Sequence, residues 1–465
     1  MSTQPAAPTA ATTPAMLAGL LKTAATDPKL KGLISHVGDP TLSIATIDQA
    51  QPWAIGALAH HTPLLVVTAT GREAEDLTAE LKAMWGDQVA WFPAWETLPH
   101  ERLSPAADVA GTRAKILHNL ANLRIVVTAA RGVCQPILET TPGRDPLTLT
   151  VGHDYDFTEL THHLVFKAYK HVDLVARRGE FATRGGIIDI FPTTGEHPIR
   201  AEFWGDELTD LRAFSVADQR AFPDLDYPTV DVYPARELLI TDDVAGRAAE
   251  LAVAHRENPT LQELLTKVAD RIPADGMEAL IPVLADLTAT PMRTLPELMP
   301  AGTHVVAVHP EKIRTRIADL QATDAEFLAA GWEAAAMGAA GPVDSRDLDL
   351  SASSYRSYDS LVVGATKAGQ SWWSITPPGM GGEDALPLEF EPGPTPRGDL
   401  SQIGEMMSLL LAHTMAGGRA AFIAPAPGAI KRMADRFREQ GIAVAVAQPG
   451  AEPQPGEGTL YQALS

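Results

Sequence analysis

The chain has 465 residues, 45% hydrophobic and 20% charged, which is the balance of a soluble globular protein and too long for one compact core. A formal net charge of −21 argues against general affinity for nucleic acid, because duplex binding rests on neutralising phosphates with Lys and Arg. One cysteine, Cys134, rules out an internal disulfide and a cysteine-rich zinc site.

The opening "MSTQPAAPTAATTP" (1–14) lacks a basic segment and reads as a tail rather than a signal peptide. No apolar run reaches the roughly 18 residues that span a bilayer, so no membrane partner and a cytoplasmic location are expected. "AMLAGLLKTAATDPKLKGLI" has helical spacing, "TLSIATI" (41–47) reads as a strand, "WAIGALAHH" as a helix and "PLLVVTAT" (63–70) as a buried strand. "GREAEDLTAELKAMW" is an amphipathic helix, "DQVAWFP" a short strand, "DVAGTRAKILHNLANL" a helix and "RIVVTAA" another strand. This alternation predicts a parallel sheet with covered faces over 15–148.

Between 149 and 238 the pattern becomes short alternating strands joined by turns such as "TTGEHP" and "WGDE". In "IRAEFW", Ile199, Ala201 and Phe203 alternate with Arg200, Glu202 and Trp204, as in a half-solvated antiparallel strand. Helical spacing resumes from Ala235, and "GTHVVAVHPEKIRTRIADL" (302–320) is a strand running into a helix, so a third stretch is set at 239–345. A separate α/β unit is expected over 350–465, with "PLEFEPGPTPRGD" as an extended connector, then a helix, the strand "RAAFIAP" and a helix–strand pair; it reads as truncated.

Three stretches carry a resemblance: "FPAWETLPHERLSPAADVAGTR" (92–113), "RRGEFATRGGIIDIFP" (177–192) and "EHPIRAEFWGDELTDLRAFSVADQR" (196–220). Together with "PARELLITD" (234–242) and "GMEALIPVL" (276–284), they resemble the N-terminal part of the bacterial transcription-repair coupling factors. The resemblance implies a UvrB-like, P-loop-type module: domain 1a (15–148), an inserted β-rich domain 2 (149–238), domain 1b (239–345) and a separate domain 3 (350–465). It implies UvrA as the partner of domain 2. RNA polymerase, DNA, ATP and Mg²⁺ would belong to motor regions outside this chain, and an autoinhibitory contact would be made with the C-terminal region. The implied whole protein is an ATP-driven DNA translocase serving nucleotide excision repair.

UvrB holds a P-loop after its first strand, where glycines let backbone N–H groups wrap phosphates, a lysine meets the β/γ-phosphates and a hydroxyl meets Mg²⁺. Here Thr46, Ile47, Asp48 and Gln49 follow that strand, with no glycine and no lysine. The acidic pair that would hold Mg²⁺ after a later strand is replaced by His309, Pro310 and Glu311. An ATPase scaffold reused for binding is expected, with no catalytic residue, no cofactor and no metal in this chain. The alternative is a UvrB-like ATPase or DNA-binding module with a divergent nucleotide site. Trp91, Phe92 and Trp95 could suggest base stacking, but no Lys/Arg cluster adjoins them before Arg102, so they are read as packed.

Positive charge gathers elsewhere. Residues 161–186 hold Lys167, Lys170, Arg177, Arg178 and Arg184 against Asp173 and Glu180, five minus two, or +3. Edge arginines can simply oppose aggregation; they also supply the planar fork that grips carboxylates at interfaces. By resemblance to UvrB, Arg178 and Arg184 fall on arginines of the UvrA-binding surface, while His171 and Ala182 stand where UvrB has arginine. Lys170, His171, Arg178, Arg184 and Phe191 are therefore the expected UvrA contacts, with Phe191 either an apolar anchor or a core residue.

Overall fold

In the computed structural model, residues 15–336, 348–393, 400–418, 420–422 and 427–439 are described, with Val444 and Val446. The fold is mixed α/β, with a large parallel sheet and a separate β-rich sheet. Seven parallel strands form the larger sheet, in the order Leu386–Pro387, Thr41–Ala45, Ser371–Thr376, His304–Val308, Leu64–Thr68, Ile125–Ala129 and Val89–Phe92. The strands Leu64–Thr68, Ile125–Ala129 and His304–Val308 are buried along their whole length, which explains their unbroken apolar runs.

Helices cover both faces. On one, Leu30, Ile55, Leu58 and Leu81 pack against Val66, Val127 and Trp373; on the other, Ile116, Val133, Ile317 and Leu361 pack against Leu65, Val126 and Val305. The helix Gly71–Trp85 has the expected bounds because Thr70 caps it: the Thr70 hydroxyl accepts from the Glu73 amide, and the Glu73 carboxylate accepts from the Thr70 amide. The first expected helix is two, Ala18–Ala24 and Pro28–Ile34. Asp27 caps the second and Pro28 can only begin it. The helices Asp242–Ala254 and Pro259–Ala269 form a third core with Trp95, Leu280 and Leu350.

The insert is a six-stranded sheet ordered Ala221–Asp226, Glu207–Phe214, Ile199–Trp204, Ile187–Ile190, Glu180–Arg184 and Lys170–His171, antiparallel except for the last pair. Leu147–Thr150 and Thr229–Val232 pair antiparallel at its base. Helix Phe157–Phe166 packs Leu160 and Leu164 against Phe181, Ile188 and Leu211.

One expected boundary differs. Residues 350–393 are not the start of a separate unit, because Ser371–Thr376 lies between Thr41–Ala45 and His304–Val308 in the large sheet. The cause is burial. Trp373 and Ile375 are fully enclosed, and the Trp373 and Trp372 indoles donate to the Asp39 carbonyl and the Tyr358 hydroxyl at 2.9 and 3.1 Å. Beyond 393, helices Leu400–Met415 and Pro427–Glu439 share a small cluster of Met406, Met407 and Phe437. The connector residues 394–399, most of the expected strand 419–425, most of the last strand and the 1–14 tail lie outside the described residues.

Candidate functional site

Two places answer to the residues singled out above. The first is the crevice at the C-terminal ends of the large sheet's strands, where open α/β folds seat their ligands. Strand Thr41–Ala45 leads into a tight turn, Asp48–Ala50, and then into helix Gln51–Leu58, which has Pro52 in its first turn. Thr46 is fully buried: its amide donates to the Thr376 carbonyl and its hydroxyl to the Leu388 carbonyl, both at 2.9 Å. Asp48 accepts from the Gln51 side-chain amide at 2.9 Å and lies 3.3 Å from His309 Nε2. The two stretches set against a nucleotide site in the sequence thus meet each other. His309 holds a left-handed φ of 56° at the end of its strand, with its amide donating to the Ile375 carbonyl at 2.8 Å. Pro310 starts the following helix and Glu311 is exposed in its first turn.

A segment that the sequence pattern did not reveal lies over this crevice. Leu386–Pro387 pairs beside Ile44 and Ala45, the Leu388 amide donates to the Ala45 carbonyl at 2.8 Å, and the Gly393 amide donates to Gln49 Oε1 at 2.9 Å. Lys29 donates to the Glu389 carbonyl and sits 5.1 Å from the Phe390 ring centroid. Thr46, Asp48 and Gln49 therefore face partners from their own chain. The available signal was the apolar spacing of Leu386, Leu388 and Phe390 within what reads as a connector.

The second place is the edge of the insert's sheet. Along Glu180–Arg184, Phe181 turns to the main core of the insert, while Ala182 turns to a smaller core on the opposite face with Val175, Phe191 and Phe214. Arg184, two residues after Ala182, shares that second face and ends the strand at Gly185, whose φ of 60° suits the turn. Arg184 is exposed and, among the described residues, donates once, to the Asp173 carbonyl at 2.7 Å. Arg178 is 40% exposed; its Nε donates to the Gly195 carbonyl at 2.9 Å, a terminal nitrogen lies 3.7 Å from Asp108, and its guanidinium lies 5.5 Å from the Phe191 centroid. Lys170 and His171 are exposed, and His171 stacks on Phe181 at 4.8 Å with Nε2 3.2 Å from the Thr183 hydroxyl. Glu180 accepts from the amides of Ala176 and Arg177 at 2.9 Å each, so it shapes the arginine turn.

For Phe191 the structure takes the core alternative. The residue is 8% exposed and packed under Arg178, so it belongs to the insert's interior and is not an outward anchor. Inside the same sheet, Asp189 and Arg200 form a two-bond pair at 2.7 and 2.9 Å, and that bonding to Asp189 raises the Arg200 pKa. Trp95 and Phe92 are buried, with the buried Arg113 guanidinium over both rings, and Trp91 is half-buried. Cys134 is enclosed, and burial pushes its thiol up to about 12. Among the described residues no cluster of three or more His, Cys, Asp or Glu could hold a metal, and no helix is long and apolar enough to cross a membrane.

The insert also has a counterpart among known families: residues 147–238 match the UvrB interaction domain. Over 460 residues, 95% of the chain, it is 43% identical to the transcription-repair-coupling factors of Mycobacterium bovis and Mycobacterium tuberculosis. Similarity to the transcription-repair-coupling factors thus runs along nearly the whole chain. It is also 35% identical over 243 residues to the family member of Myxococcus xanthus, covering 49% of this chain and 20% of that protein. The chain spans 37% of the length of the mycobacterial relatives. In this chain the crevice and the arginine edge fall in different parts of the fold, and only the edge lies within the matched interaction domain.

Proposed function

We propose that this chain is a recruitment module that brings UvrA to stalled transcription complexes by presenting the arginine edge of its insert. One observation carries the reading: Arg178 and Arg184 remain exposed at the sheet edge of the very span that matches the UvrB interaction domain. An acidic surface would be steered there by long-range charge and then held by charge-assisted hydrogen bonds to Arg184, whose guanidinium has a single donor engaged. Lys170 and His171 flank the same edge, where Lys170 adds a further positive charge. The chain acts in the cytoplasm without hydrolysing ATP, a reading supported by the Asp48–His309 contact and the 386–393 segment laid over the crevice. The translocase activity, the RNA polymerase and DNA contacts, and the ATP and Mg²⁺ they require belong to the remainder of such a protein. In the intact protein, the same edge is covered by an autoinhibitory contact with the C-terminal region.

Calorimetric titration of purified UvrA into the chain tests this directly. Saturable binding that Arg178→Glu and Arg184→Glu weaken supports the proposal, and absence of binding by the unaltered chain ends it. Saturable micromolar binding of ATP·Mg²⁺ would overturn the non-hydrolytic part.

A further inference from the structure

Among the described residues, the most exposed large apolar side chain is Trp204, at 83%. It ends the strand Ile199–Trp204 at the turn Gly205–Asp206, and no ring or cation–π partner within the described residues covers its indole. A single exposed aliphatic side chain calls for no explanation, but a bare indole on a folded surface does, because tryptophan contributes disproportionately where proteins associate.

The sheet register shows what lies beside it. On strand Ile199–Trp204, Ile199 and Ala201 enter the insert's main core and Phe203 packs against it, so Arg200, Glu202 and Trp204 occupy the opposite face. That is the face of Ala182 and Arg184. Glu202 pairs with Ile187, which pairs with Arg184, and the Phe203 amide donates to the Gly186 carbonyl at 2.8 Å. Trp204 and Arg184 therefore lie on one face at one end of the sheet, two strand spacings, about 10 Å, apart across it and two residues, about 7 Å, apart along it.

The tryptophan is held on a braced platform. Phe203 meets Phe157 edge-on at 5.7 Å, the Tyr155 amide donates to the Asp206 carbonyl at 2.8 Å, and Asp154 bridges to Glu207. A Cβ at Gly186 would come within 2.9 Å of the Phe203 carbonyl oxygen, so the two hairpin ends are closely packed. The backbone that carries the indole is thus fixed before any partner arrives, so little main-chain ordering remains for docking.

We infer that Trp204 is the apolar anchor of the UvrA-docking surface, inserted by the partner's approach into an apolar slot while Arg184 meets a carboxylate beside it. This inference rests on the reading proposed above and supplies the anchor that buried Phe191 does not. The charge around it sets the orientation of the partner. Arg184 lies on one side of Trp204, while Asp206 and Glu207 continue from it on the other. The matching surface on UvrA has acidic groups facing the arginine edge, an apolar slot, and a basic group beyond.

The test is titration of UvrA into the unaltered chain and its Trp204→Ala, Trp204→Phe and Arg184→Glu variants, with thermal unfolding of each as a control for folding. Trp204→Ala is expected to weaken binding at least tenfold at unchanged unfolding temperature, with Trp204→Phe retaining most of the affinity. Iodide quenching of the indole component missing from Trp204→Phe is expected to fall when UvrA is added. Weakening by Arg184→Glu alongside unchanged affinity in Trp204→Ala overturns the inference and leaves the recruitment reading standing. Absence of UvrA binding by the unaltered chain overturns both. Self-association of the chain that Trp204→Ala abolishes, with UvrA binding untouched, also overturns it and assigns the indole to a second copy.

Discussion

The crevice at the strand ends and the edge of the insert are both rich in polar groups, and they differ in where those groups find partners. In the crevice, Thr46 is met by the Leu388 carbonyl, Asp48 by Gln51 and His309, and Gln49 by the Gly393 amide. At the edge, Arg184 engages one carbonyl and leaves the rest of its guanidinium in water, and Trp204 is bare. Polar groups answered within the chain add to its stability, whereas groups left to solvent add to stability only when another molecule arrives. Substitutions in the crevice should therefore change folding, and substitutions at the edge should change association.

The contrast is tested most strongly by Leu388→Ala. Leu388 is 2% exposed in the core beneath the crevice segment, so urea unfolding should show a loss of about 3 kcal/mol, with UvrA affinity unchanged. A variant as stable as the parent would mean that the segment is not part of the framework. Arg184→Glu is the mirror experiment: UvrA binding falls by about 2 kcal/mol, the scale of removing one charged partner from an interfacial pair, while the unfolding midpoint stays put.

Acid should act on the framework more gently. His304, at the other end of its strand from His309, is buried; Nε2 accepts from the Gly38 amide, and burial lowers its pKa from the ordinary 6.5. The unfolded chain then takes up a proton near pH 6.5 that the folded chain refuses. The stability that neutral His304 contributes is complete above that pH and is lost as pH falls towards the lowered value. Unfolding temperatures measured from pH 7.5 to 5.5 should decline less steeply for His304→Gln than for the parent. The smallest expected effect is Asp48→Asn, below about 0.5 kcal/mol because the carboxylate is largely exposed; a larger loss in chemical unfolding would make the Asp48–His309 contact a structural element.

Much of this was readable before the structure. The unbroken apolar runs at 64–68 and 125–129 and the alternation at 199–204 declared two kinds of sheet, because burial on both faces and burial on one leave different patterns. The residues at 46–49 and 309–311 could be set against a phosphate cradle because such a cradle has strict requirements in residue type; that they touch each other could not be read. What the sequence hid was long-range pairing. Nothing local in "SWWSIT" says that it threads between strands 330 and 67 positions away, and nothing in "LPLEF" says that it lies against the first strand. Phe191 and Trp204 show the same limit at single residues. Both are aromatics at a strand end or just beyond it, and only the placement of a second small core under Arg178 buries one and leaves the other outside.

The antiparallel pair Leu147–Thr150 and Thr229–Val232 has a consequence for heredity as well as for shape. It brings the first and last strands of the insert side by side, so the piece between them leaves and rejoins its host at nearly one point. A cassette with adjoining ends can be exchanged between genes without redrawing the scaffold that receives it.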